Sequence, residues 1–292
     1  MVICEINGHS FSISKPLTKY WDKYSLKMMK KINRDKLDLV DGSEGTGKSM
    51  WCIQQFAYIE PEAFETPEKF VSRIAFTPDE FLKMVRETKN GVVIFDEAFR
   101  GFSSRSALSK INKLLVQSLM EMRQNNNIVF IVLPSFYLLD IYPAMLRSNS
   151  LFNIYIEKGS GRRVWQGFNK KHKNSMYQKG VKKGWGYPIK SKVRGNFFGK
   201  FPGGPEYEKA YLDKKEKSFR EDLKNMNKVT SGTKPIGFDP MTLKILAKMR
   251  NDGEKWMDLQ KFMESCEINV SHETIRTHLK KFMEEGAKKP EN

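Results

Sequence analysis

Leu37-Asp38-Leu39-Val40-Asp41-Gly42-Ser43-Glu44-Gly45-Thr46-Gly47-Lys48-Ser49 is the stretch whose reading fixes the rest of the chain. Leu37 to Val40 is a short strand that runs straight into a glycine-rich turn. From Gly42 onward the residues fit the pattern Gly, four residues, Gly-Lys-Ser/Thr. Glycines let the backbone curl so that successive N–H groups point inward, and the helix expected from Lys48 to Tyr58 turns its positive end to the same space. Such a cradle suits phosphate oxygens. Lys48 is spaced to reach the β- and γ-phosphates of a nucleotide, and the Ser49 hydroxyl to ligate magnesium. The expected nucleotide site is therefore Gly42, Ser43, Glu44, Gly45, Thr46, Gly47, Lys48 and Ser49. A glycine turn with a solvated lysine is the bland alternative, and a strand before the turn with a helix after it speaks against that.

The second decisive stretch is Val92-Val93-Ile94-Phe95-Asp96-Glu97. Four apolar residues bury the strand, and Asp96 at its carboxyl end can reach the metal shell. Glu97 can then orient and deprotonate a water for in-line attack on the γ-phosphate. Around these two stretches strands and helices alternate. A strand is expected at Arg73 to Phe76, and Thr77 caps a helix with Pro78 in its first position. Ser106 to Gln124 has helical spacing through Leu108, Ile111, Leu115 and Leu119. Ile128 to Leu133 and Leu151 to Ile156 are further buried runs. Buried strands separated by helices predict an α/β core: a mostly parallel sheet with helices on both faces.

A phosphate loop after the first core strand and a later strand ending Asp-Glu resemble the additional-strand, catalytic-glutamate division of P-loop NTPases, which includes RecA-like, AAA+ and DNA-translocase ATPases. The resemblance implies a RecA-like P-loop NTPase core that uses ATP and Mg2+. It also implies that the strand after the metal-binding one lies between the two motifs and ends in a polar sensor, which makes Ser135, after Ile128 to Pro134, the sensor candidate. Leu39 to about Phe168 is similar, more loosely, to the zonula occludens toxin-like ATPases of filamentous-phage assembly and to the HerA/FtsK-type DNA-pumping motors of viruses and mobile elements. Asp96-Glu97-Ala98-Phe99, Arg105, Arg123, Leu133-Pro134-Ser135-Phe136 and Arg147 carry that likeness. Many DNA pumps have Gln where this chain has Pro-Ser. Such motors work as rings, up to hexamers, in which a neighbour supplies an arginine finger; the resemblance makes Arg147 the first candidate and Arg105 the second.

Composition points the same way. With 39% hydrophobic and 12% aromatic residues in 292, the chain can build a globular core and a smaller module. The net charge is +17, and between 160 and 234 there are 20 Lys and Arg against 6 Asp and Glu. That local excess favours an anionic partner. From Arg162 to Lys200 aromatics (Trp165, Phe168, Tyr177, Trp185, Tyr187, Phe197, Phe198) interleave with cations, among them Lys170, Lys173, Lys190 and Arg194. Cations of this kind neutralise backbone phosphates and rings stack on unpaired bases, so DNA is the expected partner. The alternative is that the rings pack the segment onto the core. Near the carboxyl end three short amphipathic helices are expected, the last from Ser271 to Phe282 with Arg276, Lys280 and Lys281. They resemble a helix-turn-helix module with that helix in the major groove.

The expected organisation is a hairpin and helix extension at 1–36, an ATPase core at 37–168, a basic aromatic-rich arm at 169–231, a linker at 232–240 and a helix-turn-helix-like domain at 241–292. No apolar run is long enough to span a bilayer, and Cys4, Cys52 and Cys266 suggest reduced thiols in a cytoplasmic protein. The expected function is a ring-forming, ATP-hydrolysing motor that translocates, packages or remodels DNA for a virus or mobile element. Two rivals stand beside it. One is an AAA+-like ATP switch that loads a partner protein onto DNA; the other is a DNA-binding regulator that only senses ATP, against which an intact Glu97 argues.

Overall fold

The computed structural model describes residues 1–96, 112–113, 116–117, 125–182, 184, 186–231, 238, 240–265 and 271–286. The chain divides into two compact units, Met1–Arg220 and Glu221–Asn292. The first unit opens with an antiparallel hairpin, β1 (Val2–Ile6) and β2 (His9–Ile13), closed by Asn7 and Gly8 with φ of 51° and 77°. Positive φ at both positions matches the twist of the flanking strands. The helix extension expected within residues 1–36 consists of two helices, α1 (Lys15–Lys23) and α2 (Leu26–Lys31). The break comes at Ser25, whose backbone is extended and whose hydroxyl accepts from Met28 N, a helix start that periodicity alone does not reveal.

There follow β3 (Lys36–Asp41), α3 (Lys48–Ile59), α4 (Pro67–Val71), β4 (Ile74–Ala75), α5 (Pro78–Glu87), β5 (Val92–Phe95), β6 (Ile128–Val132) and β7 (Ser150–Ile156). Helix α5 begins as its sequence dictates: Thr77 Oγ1 accepts from Glu80 N, and Glu80 reaches back to Phe76 N at 2.9 Å. Of the helix expected from Ser106 to Gln124, only Asn112, Lys113, Val116 and Gln117 are among the described residues, and they are helical.

The seven-stranded sheet has the order β4-β5-β6-β3-β7-β8-β9, where β8 is Arg163–Asn169 and β9 is Val193–Asn196. Strands β4 to β7 are parallel and the last two pairings antiparallel. Strand β6 lies between β3 and β5, so the ends of these three strands open on one edge. Each buried strand feeds both faces by period-two alternation. Val40, Ile94, Phe130 and Ile154 join Trp21, Trp51 and Phe56 on one face. Leu39, Phe95, Val129 and Ile131 join Phe81, Val85 and Phe136 on the other. The polar residues of β3 are matched within the core: Lys36 pairs with Asp38 at 3.2 Å and lies over the rings of Tyr20 and Tyr24.

The segment expected as an arm contributes directly to this body. After β8 come α6 (Lys170–Lys182), then β9, then α7 (Pro205–Ser231). Trp165, Phe168, Phe197, Phe201, Tyr207 and Tyr211 are all buried, and the Tyr207 hydroxyl donates to Phe64 O at 2.6 Å. In the second unit α8 (Pro240–Asn251), α9 (Trp256–Ser265) and α10 (His272–Gly286) enclose Leu246, Leu259, Met263, Ile275 and Leu279, with Phe238 against them. Ile245 on α8 is exposed.

Phe130 sits edge-on to both Trp21 and Trp51 at the centre of the first face. Replacing it with Ala should cost about 3–5 kcal/mol of stability, read as a lower urea midpoint with an unchanged m-value.

Candidate active site

The loop from Gly42 to Ser49 joins the carboxyl end of β3 to the amino end of α3. Gly42, Gly45 and Gly47 all have positive φ, at 141°, 74° and 94°. A Cβ at Gly42 would lie 2.0 Å from the Ile154 carbonyl oxygen, so only glycine passes there. Thr46 ties the turn by donating to Ser43 O at 2.8 Å. Lys48 Nζ donates to Gly42 O and Ser43 O at 2.6 and 2.8 Å, which holds the ammonium over the mouth of the loop. Helix α3 starts at Gly47 with no side-chain cap and no acidic residue in its first turn. Its leading N–H groups and dipole are therefore turned to an anion rather than satisfied from within.

Asp96 directly follows β5. Its Oδ1 accepts from Ser49 Oγ at 3.1 Å and its Oδ2 from Tyr211 Oη at 2.6 Å. A serine hydroxyl and a single carboxylate form part of the oxygen set Mg2+ prefers, the rest coming from phosphate and water. Among the described residues no cluster of three or more His, Cys, Asp or Glu could hold a metal by itself. The donors thus fit a cation that arrives with a phosphate ligand.

Two tyrosines at this site carry no motif. Tyr211, on α7, is buried against Phe76 and ties that helix to Asp96. Three residues on, Lys214 binds Glu80 and the carbonyls of Val71 and Ile74, so the same helix is fastened at the ends of β4 and α4. Tyr187 donates to Asp41, the residue just before the loop. Asp41 also accepts from Phe136 N at 3.2 Å and from Asn153 Nδ2 at 3.1 Å. Burial raises its pKa to about 6, against the opposing pull of those donors and of Lys48.

Other expected residues are placed as follows. Ser135 caps the short turn Phe136–Leu138 by accepting from Tyr137 N. Its neighbour Phe136 contacts Asp41 through its N–H, which puts Ser135 beside the loop. Glu97 and Arg105 lie outside the described residues. Arg147 is expected to act on a neighbour's site, not on its own. It is mostly buried and paired with Asp35, one residue before β3 begins. The six residues of β3 separate that pair from the loop, roughly 20 Å at the usual rise of a strand. Arg147 thus stands at the opposite end of the sheet with its guanidinium engaged, a local pairing that the sequence does not show. Among the rings expected to stack on bases, Trp165, Phe168 and Phe197 are core residues, while Phe198 is exposed. Lys173 is also buried, with Nζ on Ala144 O and Asn174 Oδ1, and desolvation lowers its pKa to about 7.

No protein-family model and no curated protein matches this chain. Among solved structures, it is similar to the N-terminal domain of zonular occludens toxin from Neisseria meningitidis. That match has 16% identity and a TM-score of 0.30, covering 47% of this chain and 84% of that one. An overlap this slight says nothing of ligand or partner.

Tyr211→Phe should lower stability by about 1.5–3 kcal/mol in urea unfolding at neutral pH, the value of one bond to a charged acceptor. Tyr187→Phe should behave differently with pH. Asp41 has its pKa raised from 3.8 to about 6, so its burial contributes stability below 3.8 that is lost as pH rises through 6. A donor to the ionised form offsets that loss, and removing it matters most above pH 6. Thermal melts of Tyr187→Phe against the parent should therefore differ more at pH 8 than at pH 4.5; equal shifts at both would refute the role.

Proposed function

We propose that this chain is a magnesium-dependent ATPase with a RecA-like P-loop core that works on DNA. The observation that carries the reading is the 3.1 Å contact between Ser49 and Asp96. It joins the helix that opens at the phosphate loop to the carboxylate at the end of a second strand, with β6 between them. Loop N–H groups and Lys48 bind the β- and γ-phosphates; Ser49 and Asp96 would hold the magnesium ion, which neutralises charge on the phosphate oxygens when bound. Tyr211 keeps the Asp96 carboxylate facing Ser49. Glu97, as expected from the sequence, takes a proton from water as its oxygen attacks the γ-phosphorus; the bond to the β-phosphate oxygen breaks, and ADP and phosphate leave.

Support for DNA comes from charge at the surface. Lys170, Lys171, Lys179, Lys182, Lys190, Lys192, Arg194 and Lys200 are exposed, whereas Trp165, Phe168 and Phe197 among the interleaved rings are buried. A surface with many cations and few exposed rings suits a duplex backbone better than unpaired bases. In the second unit, Ser271 caps α10 by accepting from Thr274 N, and Arg276 and Lys280 are exposed on that helix. A helix-turn-helix role, a ring assembly, action for a virus or mobile element and a cytoplasmic location belong to the same proposal. The free thiols Cys4 and Cys52 are consistent with that location, and among the described residues no helix is long and apolar enough to cross a membrane. Arg147, paired with Asp35 in its own chain, and Arg105 are the candidates for a finger reaching a neighbour's site.

Lys48→Ala should abolish ATP hydrolysis. Glu97→Gln should bind ATP as tightly as the parent and hydrolyse it about 10²–10⁴-fold more slowly, the usual worth of a general base. Duplex DNA should stimulate turnover and bind with an affinity that falls steeply with salt. Hydrolysis with neither stimulation nor salt-sensitive binding would keep the ATPase and remove DNA from the function.

A further inference from the structure

Alongside the first two turns of α3 runs an open groove of about 590 Å3. Met50 and Gln54, one turn apart on α3, line one side, and Arg162, Arg163, Phe197 and Phe198 line the other. The groove begins at the phosphate loop. A Cβ at Gly47 would lie 3.2 Å from Arg163 Cδ and 3.3 Å from Phe197 Cζ, so β8 and β9 lean directly on the loop's last glycine.

The outer wall is built rather than incidental. Phe198 O accepts from Ser12 N at 3.1 Å, from Ser12 Oγ at 3.2 Å and from Gln54 Nε2 at 3.3 Å. These bonds fix the backbone while the Phe198 ring remains 60% exposed. Gln54 is fully buried; its amide nitrogen is used, and its Oε1 has no hydrogen-bond partner within the protein. A buried acceptor that no protein donor reaches, in the wall of an open groove, is a place for a donor carried by a ligand. The exposed ring beside it offers a flat apolar face.

We propose that this groove binds the nucleoside of the nucleotide whose phosphates occupy the Gly42–Ser49 loop. The base lies on the Phe198 ring and turns an exocyclic amine toward Gln54 Oε1, with the Arg163 guanidinium at the ribose side. An acceptor at that point selects a base that carries an amine, as adenine does, over hypoxanthine, which presents a carbonyl there. This assignment rests on the phosphate-loop reading and adds to it the identity of the base.

Isothermal titration of the full chain with magnesium and ATP, inosine triphosphate or inorganic tripolyphosphate separates the two. Tripolyphosphate reports the loop alone. Phe198→Ala should weaken ATP about tenfold, the scale of one lost stacking contact, and leave tripolyphosphate within about twofold. Gln54→Leu should bring ATP down to the affinity of inosine triphosphate. If Gln54→Leu does not fold, as judged by its circular dichroism melt, the exposed Phe198 position decides. The groove assignment is overturned if tripolyphosphate binds and Phe198→Ala changes both ligands alike or neither. Failure of the parent to bind tripolyphosphate overturns the loop reading, and the groove assignment with it.

Discussion

At Gly42, where β3 gives way to the phosphate loop, there is room for backbone and nothing more. The Ile154 carbonyl on β7 closes on Gly42, and Arg163 on β8 and Phe197 just after β9 close on Gly47. These contacts set the path of the loop from outside, since a loop free to wander would not hold its N–H groups in one place. They also explain the antiparallel extension of the sheet. Strand β8 pairs in register with β7 and β9 with β8, and that pairing brings Arg163 and Phe197 to the loop's flank. The phosphate cradle is therefore shaped by residues more than 100 positions away, and Gly42 and Gly47 are the places where that close approach is tolerated.

The same logic accounts for the stretch from Arg162 to Lys200, in which composition mixes two roles. Its rings mostly belong to the core and its cations mostly to the surface. Trp165 and Phe168 leave β8 on opposite faces and both are buried, Trp165 with Trp21 and Trp51 and Phe168 with Phe81 and Phe136, because apolar layers cover the strand on both sides. Lys173 is the exception among the cations, and it is buried only because the Ala144 carbonyl and Asn174 satisfy its ammonium. Counting charges along a chain therefore finds a basic surface, whereas counting rings does not find a stacking platform.

What could be read from the sequence was local. The strands ending at Asp41 and Asp96, the helix from Lys48 and the Thr77-Pro78 helix start all follow from spacing and capping chemistry within a dozen residues. The mostly parallel sheet with helices on both faces follows from their alternation. Long-range partners left no such trace. Tyr211 reaches Asp96 across 115 positions and Tyr187 reaches Asp41 across 146, and a lone tyrosine in a basic stretch has no pattern to betray its target. The Arg147–Asp35 pair, 112 positions apart, is hidden for a related reason, since an arginine before a strand reads alike with or without such a partner. Strand β9, Val193-Arg194-Gly195-Asn196, is partly exposed and lacks alternation, so its place at the sheet edge comes from pairing with β8 and not from its own residues.

Desolvation acts on several ionisable groups in the first unit, and the surroundings decide what it does. Lys36 and Asp38 neutralise each other inside β3. Lys173 is tuned downward where no ligand site is present. Asp41 is different because its three donors come from separate segments: Tyr187 from the chain before β9, Asn153 from β7 and Phe136 from the turn after β6. Gln166 on β8 in turn donates to Asn153 at 2.9 Å. A buried carboxylate missing any one of these donors is left undercompensated, at a cost larger than the net gain from a typical hydrogen bond. The charge behind the phosphate loop can thus be held only when the ends of β3, β6 and β7 and the Tyr187 segment are all in place, and it is this demand, together with the steric limit at Gly42, that makes the site a single arrangement.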